Sequence, residues 1–264
     1  MRWPRKRVAH RSGNLIIFLF PALLIALLHA QGAEAQKRPD SGYYSRVNSF
    51  GILAAWSNDS SHMLLGESEQ RKLLSFGVSY ERRILVNHVV NWMYNGELLP
   101  VALESDPLGR IVTQQTEPTA VTAVRDHQPP PVTCAPFTMP YSYSYSDGTT
   151  YSGTVTVSCR GREWTVGQAM SPVGFEWNFL PRRRIQPYFV GHGGYMYSSH
   201  PIPVDYAGSF NFTFDLGAGL EFYRTRSQSV RIEYRYHHIS NHWTSYTNPG
   251  IDNGLLQVTY AFGR

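Results

Sequence analysis

A serine hydroxyl becomes a useful nucleophile when a base stands beside it, and a histidine base works best when a carboxylate fixes its tautomer and stabilises its charged form. One part of this chain offers those residue types at a workable spacing. His238 and Ser240 lie two residues apart near the end of a strand-like stretch, and Asp252 follows beyond a short connection. In a strand, residues two apart project from the same face. Val230, Ile232, Tyr234, Tyr236, His238 and Ser240 therefore share one face, and Arg231, Glu233, Arg235 and His237 share the other. In the next stretch Leu256, Val258, Tyr260 and Phe262 form the apolar parity, which Gly254 and Asp252 continue if the strand begins that early. Ser240 as nucleophile, His238 as base and Asp252 as acidic partner are thus compatible in parity with acyl transfer. Taken bare, His-x-Ser is a weak motif that reads more readily as an aromatic-belt histidine and a strand-end serine. A metal site made from His237, His238, His242 and Asp252 is disfavoured, because parity separates His237 from His238. No metal and no other cofactor is expected.

The elements that must position these residues are strands. Phe210, Phe212, Phe214, Leu216, Ala218, Leu220 and Phe222 alternate with Asn211, Thr213, Asp215, Gly217, Gly219 and Glu221. Similar alternation runs through Leu74–Tyr80 and Val173–Phe179. Eight such stretches are expected, at about 43–56, 72–85, 88–102, 163–179, 185–199, 208–224, 228–241 and 253–263. They exceed an ordinary strand in length and suit a tilted bilayer crossing. Aromatic residues recur at their ends, and short connections alternate with long ones, as in membrane barrels. The expected fold is all-β, an eight-stranded antiparallel transmembrane β-barrel with both termini on the short-turn side. Eight strands leave an interior filled by side chains. Glu81, Glu176, Asp215, Glu221, Glu233, Arg231 and Arg235 then form a paired polar core rather than a channel. His238 and Ser240 face lipid, where a polar side chain is costly and hence a functional candidate.

The chain of 264 residues carries a formal charge of +5. Much of that charge sits in Arg2, Arg5, Lys6, Arg7 and Arg11, ahead of the apolar run Leu15–Leu28 and the small-residue end Ala33-Glu34-Ala35. This pattern predicts a secretory signal peptide over 1–35, cleaved after Ala35, and a barrel over 36–264. With the basic head discounted, nothing points to nucleic acid. Cys134 and Cys159 are the two cysteines, too few for a structural zinc site of the usual kind. In an exported protein they predict a disulfide. It would close an extracellular insert of about 103–162, read as a hairpin turning at Asp147-Gly148.

His238-Ile239-Ser240-Asn241, followed by Asn248-Pro249-Gly250-Ile251-Asp252, resembles the lipid A 3-O-deacylase (PagL-type) outer-membrane barrels, also grouped as acyloxyacyl hydrolases. The resemblance is strongest over Arg231–Phe262. It implies a carboxylic ester hydrolase with a Ser-His-acid triad on an eight-stranded barrel of the bacterial outer membrane. The implied substrate is lipid A of lipopolysaccharide, which loses a fatty-acyl chain at a site facing the outer leaflet. Carried onto this chain, His238 is the general base, Ser240 the nucleophile and Asp252 the acidic partner. Asn241 helps to bind the oxyanion, with the main-chain N–H of Trp243 as second donor. Asp252 stands where the family pattern carries Glu. The reading that competes is a non-catalytic small outer-membrane barrel whose extracellular loops are structural or adhesive. A closed barrel has no free sheet edge, so nothing in the sequence demands a partner subunit.

Overall fold

A computed structural model describes residues 42–264 apart from Asn58 and Pro131. The expected signal peptide, 1–35, lies outside the described residues. Ten strands follow in order: β1 (Asn48–Trp56), β2 (Lys72–Val86), β3 (Val90–Glu117), β4 (Val121–Gln128), β5 (Phe137–Ser144), β6 (Thr150–Phe179), β7 (Ile185–Ser198), β8 (Phe210–Thr225), β9 (Gln228–Ser240) and β10 (Ile251–Gly263). Eight of them, β1–β3 and β6–β10, form a closed antiparallel ring, completed by the β1–β10 and β3–β6 pairings. Closure leaves the ring without a free sheet edge, which a bilayer core requires.

β4 and β5 are additions to that ring. Outside the barrel, β3 and β6 continue as a pair from Gly109↔Cys159 to Glu117↔Ser152, with β4 added on the β3 side and β5 on the β6 side. The insert expected as a stapled hairpin at 103–162 is therefore a four-stranded outer sheet, and the third and fourth barrel strands are longer than 88–102 and 163–179. Above a bilayer no lipid imposes one apolar face, so alternation there does not mark where a strand stops. Asp147-Gly148 does turn β5 into β6, with Gly148 at φ 86°. The Cys134–Cys159 disulfide is formed. It ties the segment entering β5 to β6.

The wall is apolar outside and charged inside. Phe50, Ile52, Phe76, Val78, Val173, Phe214, Leu216, Ile232 and Tyr260 are exposed large hydrophobics, whereas Glu81, Glu97, Glu176, Glu221, Arg231 and Arg235 are buried. A soluble sandwich would have the reverse sense. Inside, Arg231 pairs with Glu81, Glu176 and Glu221, and Arg46 joins Glu221 at 2.5 Å. One layer further along, Arg235 bridges Glu97 at 2.7 Å and Glu233 at 2.5 Å. The expected paired polar core is present. Glu97, His192 and Asp215 also converge there, with ligand-type atoms within 4.8 Å of one another. Arg235 holds Glu97 and lies 3.8 Å from Asp215, so the cation this group meets is a guanidinium. Towards the long-loop end Leu73, Ala102, Ala169, Met196, Ile202, Ile239, Ile251 and Leu255 pack into an apolar cluster above the charged layers.

The outward sense of β9 is directly testable. Ile232→Arg is expected to destabilise the barrel in vesicles by about 2–4 kcal/mol, the cost of a cation near the bilayer midplane. Chemical unfolding against the wild type measures it, and a neutral result would place Ile232 away from lipid.

Candidate active site

β9 and β10 run antiparallel with Asp252 opposite His238, and β10 begins at Ile251, early enough for Asp252 to keep the outward parity. The inward neighbours Ile239 and Ile251 are fully buried in the apolar cluster and fix the register of both strands. A one-residue slip would expose them and turn His238 and Asp252 inward. In the register observed, His238 Nδ1 and Asp252 Oδ1 are 2.7 Å apart. A proton on Nδ1 shared with the carboxylate leaves Nε2 as the free lone pair of the imidazole.

Donors from His238, Tyr236 and the main chain of Leu64, Leu65 and Gly66 converge on Asp252. Oδ1 accepts from His238 Nδ1 and from Tyr236 Oη at 2.9 Å, while Oδ2 accepts from the main-chain N–H groups of Leu64 and Leu65, each at 2.8 Å. These interactions favour the carboxylate form in a side chain that is wholly buried. They also fix its plane, so Asp252 cannot rotate away from the imidazole without breaking several bonds.

Ser240 lies on the same parity as His238 at the end of β9. Its Oγ donates to Asn248 Oδ1 at 3.0 Å and accepts from His242 N–H at 3.1 Å. Among the described residues no hydrogen bond joins Ser240 to His238. The structure thus brings His238 and Asp252 into contact and leaves Ser240 beside them with its proton given to an amide oxygen. The chain reverses immediately afterwards through His242 and Trp243, both left-handed at φ 50° and 60°. Non-glycine residues pay for that conformation, which is typical of tightly determined functional turns.

The expected oxyanion donors are engaged within this turn. Asn241 is buried, its Nδ2 donates to Thr247 O at 2.7 Å, and its Oδ1 accepts from Trp243 N–H at 2.9 Å. His237 faces inward and pairs with Asp215, apart from His238, as parity required. His242 is exposed. Cys134 and Cys159 belong to the outer sheet and not to this cluster. Sequence reasoning missed Asn248 as a partner of Ser240, although the Asn-Pro-Gly run marked the connection. It also missed the Leu64 and Leu65 amides, since a main-chain donor leaves no signature in residue type.

Residues 136–261, a little under half of the chain and including β9, the turn and all but the last two residues of β10, match one family model. The match is to the lipid A 3-O-deacylase (PagL) family. Within the part that matches this family lie His238, Ser240, Asn248 and Asp252, while the Leu64–Leu65 segment lies outside it. No curated protein matches the chain. Among solved structures, that of the outer membrane enzyme PagL is 13% identical with a TM-score of 0.44, covering 81% of this chain and 99% of the other. Neisserial surface protein A is also 13% identical, with a TM-score of 0.39 and coverages of 82% and 97%.

Proposed function

We propose that this protein is an outer-membrane esterase that removes a fatty-acyl chain from lipid A, using Ser240, His238 and Asp252. The observation that carries the reading is a half-buried His238 paired with a buried Asp252 on the outward parity of a barrel, two residues from a serine. The family match over 136–261 supports the same substrate class.

The proposed steps start from the hydrogen bonds present. Ser240 Oγ leaves Asn248 Oδ1 and turns its proton towards His238 Nε2, a tightening expected once substrate is bound. Oγ attacks the acyl carbonyl while the imidazole takes the proton. Asp252 stabilises the imidazolium across the Nδ1 bond. Collapse of the tetrahedral intermediate breaks the bond to the sugar oxygen, which receives the proton from His238. Water activated by the same imidazole then releases the fatty acid from Ser240. For Asn241 Nδ2 and the Trp243 N–H to stabilise the oxyanion, the developing charge must take the place of Thr247 O and Asn241 Oδ1. Asn248, freed from Ser240, is a third candidate donor through its Nδ2. The acyl chain is accommodated along the exposed wall of Val230, Ile232 and Tyr234, where hydrocarbon meets hydrocarbon.

The test uses the purified, folded barrel with lipid A in detergent micelles, read by mass spectrometry. Expected is a product lighter by one acyl chain, with one equivalent of free fatty acid. An unchanged lipid A spectrum from folded protein would overturn the reading.

A further inference from the structure

The loop between β1 and β2, residues 57–71, crosses the β1–β10 seam and lies against the connection into β10. Ser61 N–H donates to Asp252 O at 3.2 Å, Glu67 N–H to Pro249 O at 2.6 Å and Ser68 N–H to Gly250 O at 3.1 Å. A bridge of parallel sense joins Ser68 to Ile251. Within this seam Leu64 and Leu65 aim their amides at Asp252 Oδ2. Their side chains point the other way, with Leu64 73% and Leu65 64% exposed.

The approach depends on the glycines on either side of the seam. A Cβ on Gly66 would stand 2.6 Å from Asp252 N, 2.8 Å from Ile251 C and 2.9 Å from Asp252 Oδ1. Two of those three contacts are backbone atoms that cannot swing aside. Opposite, Gly250 holds φ 59°, and a Cβ there would stand 3.3 Å from Gly66 Cα and from His238 Cε1. The loop is anchored at its far end by the outer insert. Glu69 N–H donates to Val132 O, Cys134 N–H donates to Gln70 Oε1, and the fully buried Arg71 binds Asp106 at 2.8 Å and the carbonyls of Glu69, Val132 and Pro130.

From this geometry we infer that the Leu64–Gly66 segment is a positioning element for the acid–base pair, held in place by the disulfide-closed insert and acting on His238 only through Asp252. The inference rests on the esterase reading above. It gives the outer insert a role in that reaction, since the insert grips the loop that grips Asp252. Two main-chain donors on one oxygen fix the carboxylate in the plane where its other oxygen meets Nδ1. Without the amides of Leu64, Leu65 and Gly66, Tyr236 and His238 hold the carboxylate alone, and it gains rotational freedom that misaligns the base.

Gly66→Val displaces both amides and leaves every side chain of the triad intact. Expected is a fall in kcat on lipid A micelles of about 30–100-fold, with KM within twofold, in a barrel that keeps its wild-type heat-modifiable mobility. A double-mutant cycle separates positioning from general damage. In an Asp252→Asn background Gly66→Val is expected to cost nothing further, because the segment acts through the carboxylate. Gly66→Ala is expected to fall between wild type and Gly66→Val. Full activity in folded Gly66→Val, or losses that multiply in the double variant, would overturn the inference while leaving the esterase reading in place. A second readout needs no activity. Leu64 and Leu65 amides are expected to be protected from hydrogen exchange in the wild type and released in Asp252→Ala, with the barrel amides unchanged. Rapid exchange of both amides in the wild type would refute the contact itself, and an inactive but folded wild type would refute the esterase reading instead.

Discussion

Ser240→Ala and His238→Ala are each expected to lower kcat for lipid A deacylation by on the order of 10⁶-fold, and the double replacement by no more than either alone. The two groups share one event, the transfer of a proton from Oγ to the imidazole as the carbon–oxygen bond forms. Once either is gone, the other has nothing left to do. Asp252→Asn is expected to cost less, about 10⁴-fold, because the serine and imidazole remain but an amide favours the wrong tautomer. Rates of acyl release from micelles, measured on folded barrels, decide the matter. Losses from Ser240→Ala and His238→Ala that multiply would mean that the residues do not act as one unit. Full activity in Ser240→Ala would remove the nucleophile from the mechanism.

Arg231→Met is expected to be the most damaging single change to the barrel interior. Arg231 pairs with Glu81, Glu176 and Glu221, and all four side chains are buried. Breaking a buried ion pair by deleting one partner costs about 3–5 kcal/mol, because the remaining charge is left without compensation. Here three carboxylates lose their common partner, and among the described residues only Glu221 keeps an ion pair with another arginine, Arg46, at 2.5 Å. A lowered urea midpoint for unfolding from vesicles, with deacylation lost in parallel, is the expected result. An unshifted midpoint would show that the carboxylates are compensated in some other way.

The wall of this barrel is legible in the sequence because lipid outside and charge inside impose opposite demands on alternate residues. Val230 to Ser240 shows how far that reaches. Parity alone puts Arg231, Glu233, Arg235 and His237 inside, where the structure has them. It also puts His238 and Asp252 on the same outer face, and the register of the hairpin sets them opposite each other. The same signal fails beyond the bilayer. In β5 and the outer part of β6, Tyr141, Tyr143 and Tyr151 alternate with serine and threonine in the manner of a membrane strand, yet these residues belong to a sheet outside the ring. Parity also says nothing about a turn. Asn241 keeps the inward phase of β9, but its partners are set by the left-handed residues after it, which leave both expected oxyanion donors engaged. The Leu64 and Leu65 contacts were invisible for a different reason. They depend on peptide groups brought across the seam from far away in the chain, and no side chain announces them.

That seam joins the first and last strands of the ring, β1 and β10, with Ser49 beside Gly263 and Trp56 beside Leu256. His238 and Asp252 meet within the β9–β10 hairpin, a local event, whereas the amides that steady Asp252 arrive from the loop after β1. Bringing β1 and β10 together is the most demanding loop closure in the fold. An unclosed chain therefore holds its acid–base pair without its brace. On the proposed reaction, hydrolytic competence becomes a record of completed assembly, withheld until the first strand has found the last.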